Sequence, residues 1–229
     1  MSIDIHCLDR RIILLDAKPL KHSPDELQLQ YAGKKALQGL VYEFEKSSSK
    51  VNLSIWSDDD YKQLVKAFFN LHEMVEAAGG VVFNEHDEIL FIHRNGKWDL
   101  PKGKISSKDR RKAIKNALGK PGKSEAGYLE EQIARITAIR EVKEETGLKK
   151  LKISSELPVT YHIYFTGDRR FIKQTRWYRM EGSSEDSLKP QISEGIVIVR
   201  WIPANSLACI FAHTYESLKP LIKSVLEHT

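Results

Sequence analysis

The chain has 229 residues, 41% of them hydrophobic and 29% charged, with a formal net charge of +5. That suffices for one large domain, or for one domain with a small partner, while no apolar run approaches the roughly 20 residues that span a bilayer. The start, MSIDIHCLDRR, lacks the charged-then-apolar layout of a secretory leader, and no membrane association is expected.

Cys7 and Cys209 lie far apart and match no metal spacing, so both are expected as buried free thiols in a reducing, cytoplasmic setting. SIDIHC and RIILLD read as a hairpin around Leu8-Asp9-Arg10. KKALQGLVYEFEK has helical apolar spacing at Leu37, Leu40, Val41 and Phe44. VNLSIW reads as a strand, and SDDDYKQLVKAFFNLHEMVEA as a helix capped by Ser57 or Asp58. Residues 1–75 thus form a small α+β unit, and 76–229 a second domain.

From Ala77 the texture changes. AAGGVVFNEHDEILFIHR reads as two strands around a polar turn, followed by the loop GKWDLPKGK. SSKDRRKAIKNALGK predicts a basic helix with Ser107 as its cap and Gly119 as its stop. A second helix runs from Ser124 or Glu125 to Glu145, ended by Gly147. PVTYHIYF and RFIKQTRWYRM predict a hairpin about Gly167-Asp168, GIVIVRWIP a further strand, and TYESLKPLIKSVLEH a closing helix with Pro220 in its first turns. Strands interleaved with helices indicate an α/β layered domain with a mixed sheet.

The stretch IREVKEETGL places Glu141, Glu144 and Glu145 on one side of a helix, with Ile136, Ile139 and Val142 opposite. Like charges at that spacing destabilise a bare helix by roughly 0.2–0.5 kcal/mol per pair, and the macrodipole disfavours anions near its C-terminus. A divalent cation would remove both costs; a solvated acidic face is the other reading, and spacing alone leaves the two open.

REVKEETGL also matches, residue for residue, the C-terminal half of the Nudix box, GX5EX7REUXEEXGU, with U a bulky aliphatic. AAGGVVF, GKWDLPKGK and VIVRWIP stand in the order of the segments around that box. From about Ala77 onward the chain therefore resembles the Nudix hydrolases. The resemblance implies an α/β/α sandwich and a metal-dependent enzyme cleaving a nucleoside diphosphate linked to another moiety. It implies Mg2+, with Mn2+ as an alternative, bound by Glu141, Glu144, Glu145 and the backbone of Gly103, while Arg140 orients the glutamates. Two departures stand out. Gln132 occupies the place of the box's first glutamate, eight residues before Arg140, and a helical insertion of about 105–131 separates Gly103 from the box helix.

Cleavage of a pyrophosphate needs charge neutralisation and an activated water. Glu144 and Glu145, or Glu194 from the later loop, are candidate bases. Lys102, Lys104, Lys173 and Arg176 are candidate phosphate contacts, and Trp177 and Tyr178 would stack on a base or fill the core. Lys108, Arg110, Arg111, Lys112 and Lys115 form either an anion clamp or a solvated face. The expected partner is a nucleotide or polyphosphate small molecule rather than nucleic acid. The N-terminal unit reads as a homodimer surface or a substrate cap. A Nudix-fold sensor that binds without cleaving is the alternative function, and the retained glutamates favour the enzyme.

Overall fold

The computed structural model describes residues 1–21, 23–118 and 126–227. The chain divides into two compact units, Met1–Val75 with Thr160–Gln174, and Glu76–Val159 with Thr175–Thr229.

In the first unit β1 (Ser2–Cys7) and β2 (Arg10–Leu15) form the expected hairpin, with Leu8 at φ 56° in its turn. β3 (Glu26–Gln30), α1 (Lys34–Lys46) and β4 (Asn52–Trp56) follow as a parallel crossover, and β4 also lies parallel to β2. Sequence reading missed β3, whose ELQLQ is polar on alternate positions and short. α2 spans Tyr61–Phe69, with Asp60 rather than Ser57 or Asp58 at its N-cap. It ends earlier than its apolar spacing suggests, because Glu73 already begins the next strand.

Period-two alternation fills this unit's core. Ile5, Cys7, Ile12, Leu14, Leu53 and Ile55 point from the strands to Leu37 and Val41 of α1 and Leu64 and Phe68 of α2. The returning segment adds Ile163 and Ile172, and its residues 161–163 pair in parallel with β1. Glu45 is buried between His72 at 2.7 Å and Arg170 at 2.6 Å, so its charge has partners.

The second unit holds most of β5 (Glu73–Phe83), then β6 (Glu88–Arg94), β7 (Lys97–Asp99), β8 (Lys102–Lys104), α3 (Ser107–Ala117) and α4 (Ala126–Thr146). β9 (Lys152–Thr166) and β10 (Arg169–Glu181) form the long hairpin whose tip belongs to the first unit. β11 (Ile196–Pro203), α5 (Ala208–Ala212) and α6 (Lys219–Leu226) complete the chain, with Pro220 in the first turn of α6 as expected. The strand order here is β9-β10-β5-β6-β11, with β7 on β6 and β8 on β5.

Alternation along β5 and β10 sends side chains to both faces of this sheet. Ala78, Val82, Tyr178 and Met180 meet Ala134, Ala138 and Val142 of α4. Val81, Phe83 and Trp177 meet Ile210 of α5 and Leu221, Ile222 and Val225 of α6. The result is the expected α/β/α sandwich. Trp177 and Tyr178 are both core residues, about 1% exposed, so neither is available to stack on a base. Cys7 is buried as expected, but Cys209 is exposed, because the short α5 turns Ile210 inward instead. The stop expected at Gly119 and the start of the second helix at Ser124 or Glu125 lie outside the described residues.

Candidate active site

The last turns of α4 carry the acidic cluster, and the helix ends where Gly147 takes φ 82°, a conformation that costs a glycine little. The buried stripe runs through Ile133, Ala134, Thr137, Ala138, Val142, Glu145 and Thr146 rather than through Ile136 and Ile139. Small alanines let the helix lie close to the sheet, and this rotates Glu145 inward. The glutamates therefore form a gradient: side-chain exposure is 3% for Glu145, 14% for Glu141 and 48% for Glu144.

Glu145 is held at both oxygens. Arg94 Nη1 donates to Oε1 at 3.2 Å and the Lys102 backbone amide to Oε2 at 2.8 Å. Burial pushes its pKa up to about 7, against the opposing charges of Arg94 and Lys102. Arg94 also donates to the buried Asp99 at 2.9 and 3.1 Å, and Lys102 Nζ lies 2.6 Å from both Asp99 oxygens. The Lys102 ammonium, one of the expected phosphate contacts, is thus engaged by a carboxylate. Burial lowers its pKa although Asp99 opposes the shift.

β8 brings Gly103 against α4, pairing it with Ala78 of β5. A Cβ at Gly103 would overlap the Glu141 carboxylate, so only glycine permits this approach. Burial raises the pKa of Glu141, and Arg140 opposes the rise. Arg140 joins the remaining parts. Its guanidinium lies 2.7 Å from both Glu141 and Glu144, donates to the Lys104 carbonyl at 3.2 Å and forks onto Asp109 at 3.0 and 2.8 Å. The fork is the geometry that suits arginine rather than lysine.

Asp109 was not expected here. It lies in the first turn of α3, which Ser106, not Ser107, caps in a reciprocal capping box with Asp109. Arg140 is met by Asp109 and not by Gln132. The signal was present in the sequence: Gly103 and Asp109 are separated by five residues, the spacing the box itself prescribes between its glycine and its first acid. Burial pushes the Asp109 pKa up, but hydrogen bonds from Arg140 and Ser106 prevail and hold it far below the usual carboxylate range.

The basic residues of α3 separate into two groups. Arg110 pairs with Glu76 and Glu130. Lys108, Arg111, Lys112 and Lys115 are exposed and form no ion pair with another described residue. Glu194 is exposed in a short helical turn, Ile192–Glu194, and the segment before that turn is tied to the end of α4 by Lys189 N–H to the Thr146 carbonyl at 2.8 Å. Lys104 is exposed beside Gly103, and Arg176 is partly buried on β10. Lys173 belongs to the first unit, with Nζ 5.8 Å from the Tyr164 ring centroid.

Among the described residues no three His, Cys, Asp or Glu side chains gather at metal-ligand spacing. The donor types nevertheless suit a hard divalent cation, since Glu141, Glu144 and Glu145 offer carboxylates beside backbone carbonyls. The desolvated Glu141, whose charged form burial disfavours, would be stabilised by one.

The NUDIX domain model matches residues 74–223. No curated protein matches the chain. Similar solved structures include a C. elegans Ap4A hydrolase binary complex, 19% identical, covering 67% of this chain and 96% of its own at a TM-score of 0.44. A MutT protein from Methanosarcina mazei Go1 is 16% identical, covering 69% and 96% at a TM-score of 0.43. With well over half of its length matched, the chain belongs to the NUDIX family.

Proposed function

We propose that this chain uses Mg2+ to hydrolyse a pyrophosphate bond in a nucleoside diphosphate linked to a further moiety. The observation that carries the reading is the contact of Glu141 with Gly103, beside an Arg140 shared by Glu141 and Glu144. There two carboxylates share one guanidinium beside a close backbone approach, which supports the reading. Glu141, Glu144, Glu145 and the backbone of Gly103 would hold the cation, with Mn2+ a workable substitute. When bound, the cation supplies neutralisation of phosphate oxygens and a more acidic water.

The chain's own residues do the rest. Arg140 orients Glu141 and Glu144, and Asp109 fixes Arg140 in turn. Arg94 and the Lys102 amide fix Glu145. Lys104 and Arg176 are assigned to the substrate's anionic oxygens. Lys102 is assigned to holding Asp99 rather than to phosphate. Glu144 is the most exposed of the three glutamates and the best placed to meet water, with Glu194 as the alternative base from the neighbouring loop. The substrate is a nucleotide-type small molecule, and the reading places the reaction in the cytoplasm.

The test is formation of nucleoside monophosphate with Mg2+ over ADP-ribose, dinucleoside polyphosphates and nucleoside triphosphates. We expect Glu141→Gln and Glu144→Gln each to lower kcat at least tenfold, with folding retained by circular dichroism. Full activity in both variants would contradict the metal-site assignment. Nucleotide binding by the wild type without turnover of any substrate would favour a sensor.

A further inference from the structure

We propose that the exposed cations of α3, Lys108, Arg111, Lys112 and Lys115, select substrates by the length of their anionic chain. This rests on the reaction proposed above and concerns which pyrophosphate compounds reach it. α3 starts beside the acidic face. A single guanidinium, Arg140, touches its first turn at Asp109, the Lys104 carbonyl before it, and both Glu141 and Glu144. From that point the helix leads away, and the rise from Lys108 to Lys115 is about 10 Å.

α3 carries five basic residues, and the structure divides them by task. Arg110 docks the helix through Glu76 and Glu130, and Asp109 docks it through Arg140. Ala113 and Ala117 continue the buried side. The other four cations are exposed. Neither docking nor the core accounts for them, and like charges three and four residues apart destabilise a helix by a few tenths of a kcal/mol per pair.

Screening decides what they can recognise. At physiological salt the Debye length is about 8 Å, so the far cations act weakly on a diphosphate confined to the glutamates. An anion whose charge continues along α3 meets more of them at short range. Four phosphates in line offer this, whereas ADP-ribose, with two, does not. The cations therefore lower KM for long chains and leave short ones nearly unchanged.

The experiment combines Lys108→Gln, Arg111→Gln, Lys112→Gln and Lys115→Gln and compares binding of inorganic tetraphosphate and pyrophosphate by calorimetry. Steady-state kinetics on a dinucleoside tetraphosphate and on ADP-ribose run beside it. We expect tetraphosphate affinity to fall at least tenfold with a flatter salt dependence, and pyrophosphate affinity to stay within twofold. KM should follow the same split at constant kcat. A second variant exchanging lysine and arginine at these four positions should keep tetraphosphate binding.

Equal losses for both probes, or no loss, would overturn the proposal. So would a single-stranded 5′-hydroxyl RNA whose binding needs the four residues when tetraphosphate binding does not, since α3 would then be a nucleic-acid face. If the wild type hydrolyses nothing yet prefers tetraphosphate through these residues, the hydrolase reading fails and the chain-length reading stands.

Discussion

Gly103 shows how one residue position couples backbone geometry to charge. Its missing side chain lets the Glu141 carboxylate lie against β8, and a methyl group there would displace it. Gly103→Ala is therefore expected to lower kcat/KM at least tenfold while moving Tm by only a few degrees, because the strand pairing with Ala78 remains. Kinetics and thermal melts on the same preparation check this; unchanged kinetics would show that the contact does not matter. At this scale much was legible. Arg140, Glu141, Glu144 and Glu145 sit in an unbroken stretch, and their grouping on one helix follows from the 3.6-residue period. The inward turn of Glu145 was not legible, because it depends on alanines packing against a sheet that only the folded chain supplies. Nor was the engagement of Lys102 by Asp99, since the two residues between them, Leu100 and Pro101, do not reveal which way an ammonium points.

Between elements, the contact of greatest weight is the tether from α3 to α4. Asp109 and Arg140 lie 31 residues apart and form a forked pair with the Asp109 side chain 2% exposed. Removing one partner of a fully buried pair costs about 3–5 kcal/mol, and the 24% exposure of the Arg140 side chain brings this pair below that range. The pair also sets a pH dependence. The folded-state pKa of Asp109 is depressed, so on acidification the unfolded chain takes up the proton first, near the ordinary value of about 4. Its stabilisation is fully present above that range and is lost as pH falls toward the folded value. Urea midpoints measured from pH 6 down to pH 3 should fall more steeply for wild type than for Asp109→Asn, which should start lower and vary less. Parallel profiles would exclude the tether as the source. Both helices were legible in the sequence, although Ser106 rather than Ser107 caps α3 and the buried stripe of α4 bypasses Ile136 and Ile139. Their docking was hidden, because the interrupted spacing assigned Gln132 to a place that Asp109 occupies in space.

For the whole chain, the texture change near Ala77 marked where one sequence pattern gives way to another. It could not show that Thr160–Gln174 belongs with residues 1–75. A hairpin tip reads the same wherever it docks, and parallel pairing between β1 and residues 161–163 is a long-range match with no local signature. Ile163 and Ile172 are fully buried in the first unit's core. Residues 1–75 expressed alone are therefore expected to show no cooperative unfolding transition by circular dichroism. A fragment that melts cooperatively would mean those two residues are dispensable.

That same returning segment has a consequence for the order of synthesis. Residues 1–75 leave the ribosome before residues 160–174, and the core they share is incomplete until residue 174 has emerged. At about 5–20 residues per second, the interval after residue 75 is roughly 5–20 s. Through that time the strand faces bearing Ile5, Ile12 and Leu14 lack part of their cover, so residues 1–75 wait on a segment made about 85 residues later before they can close.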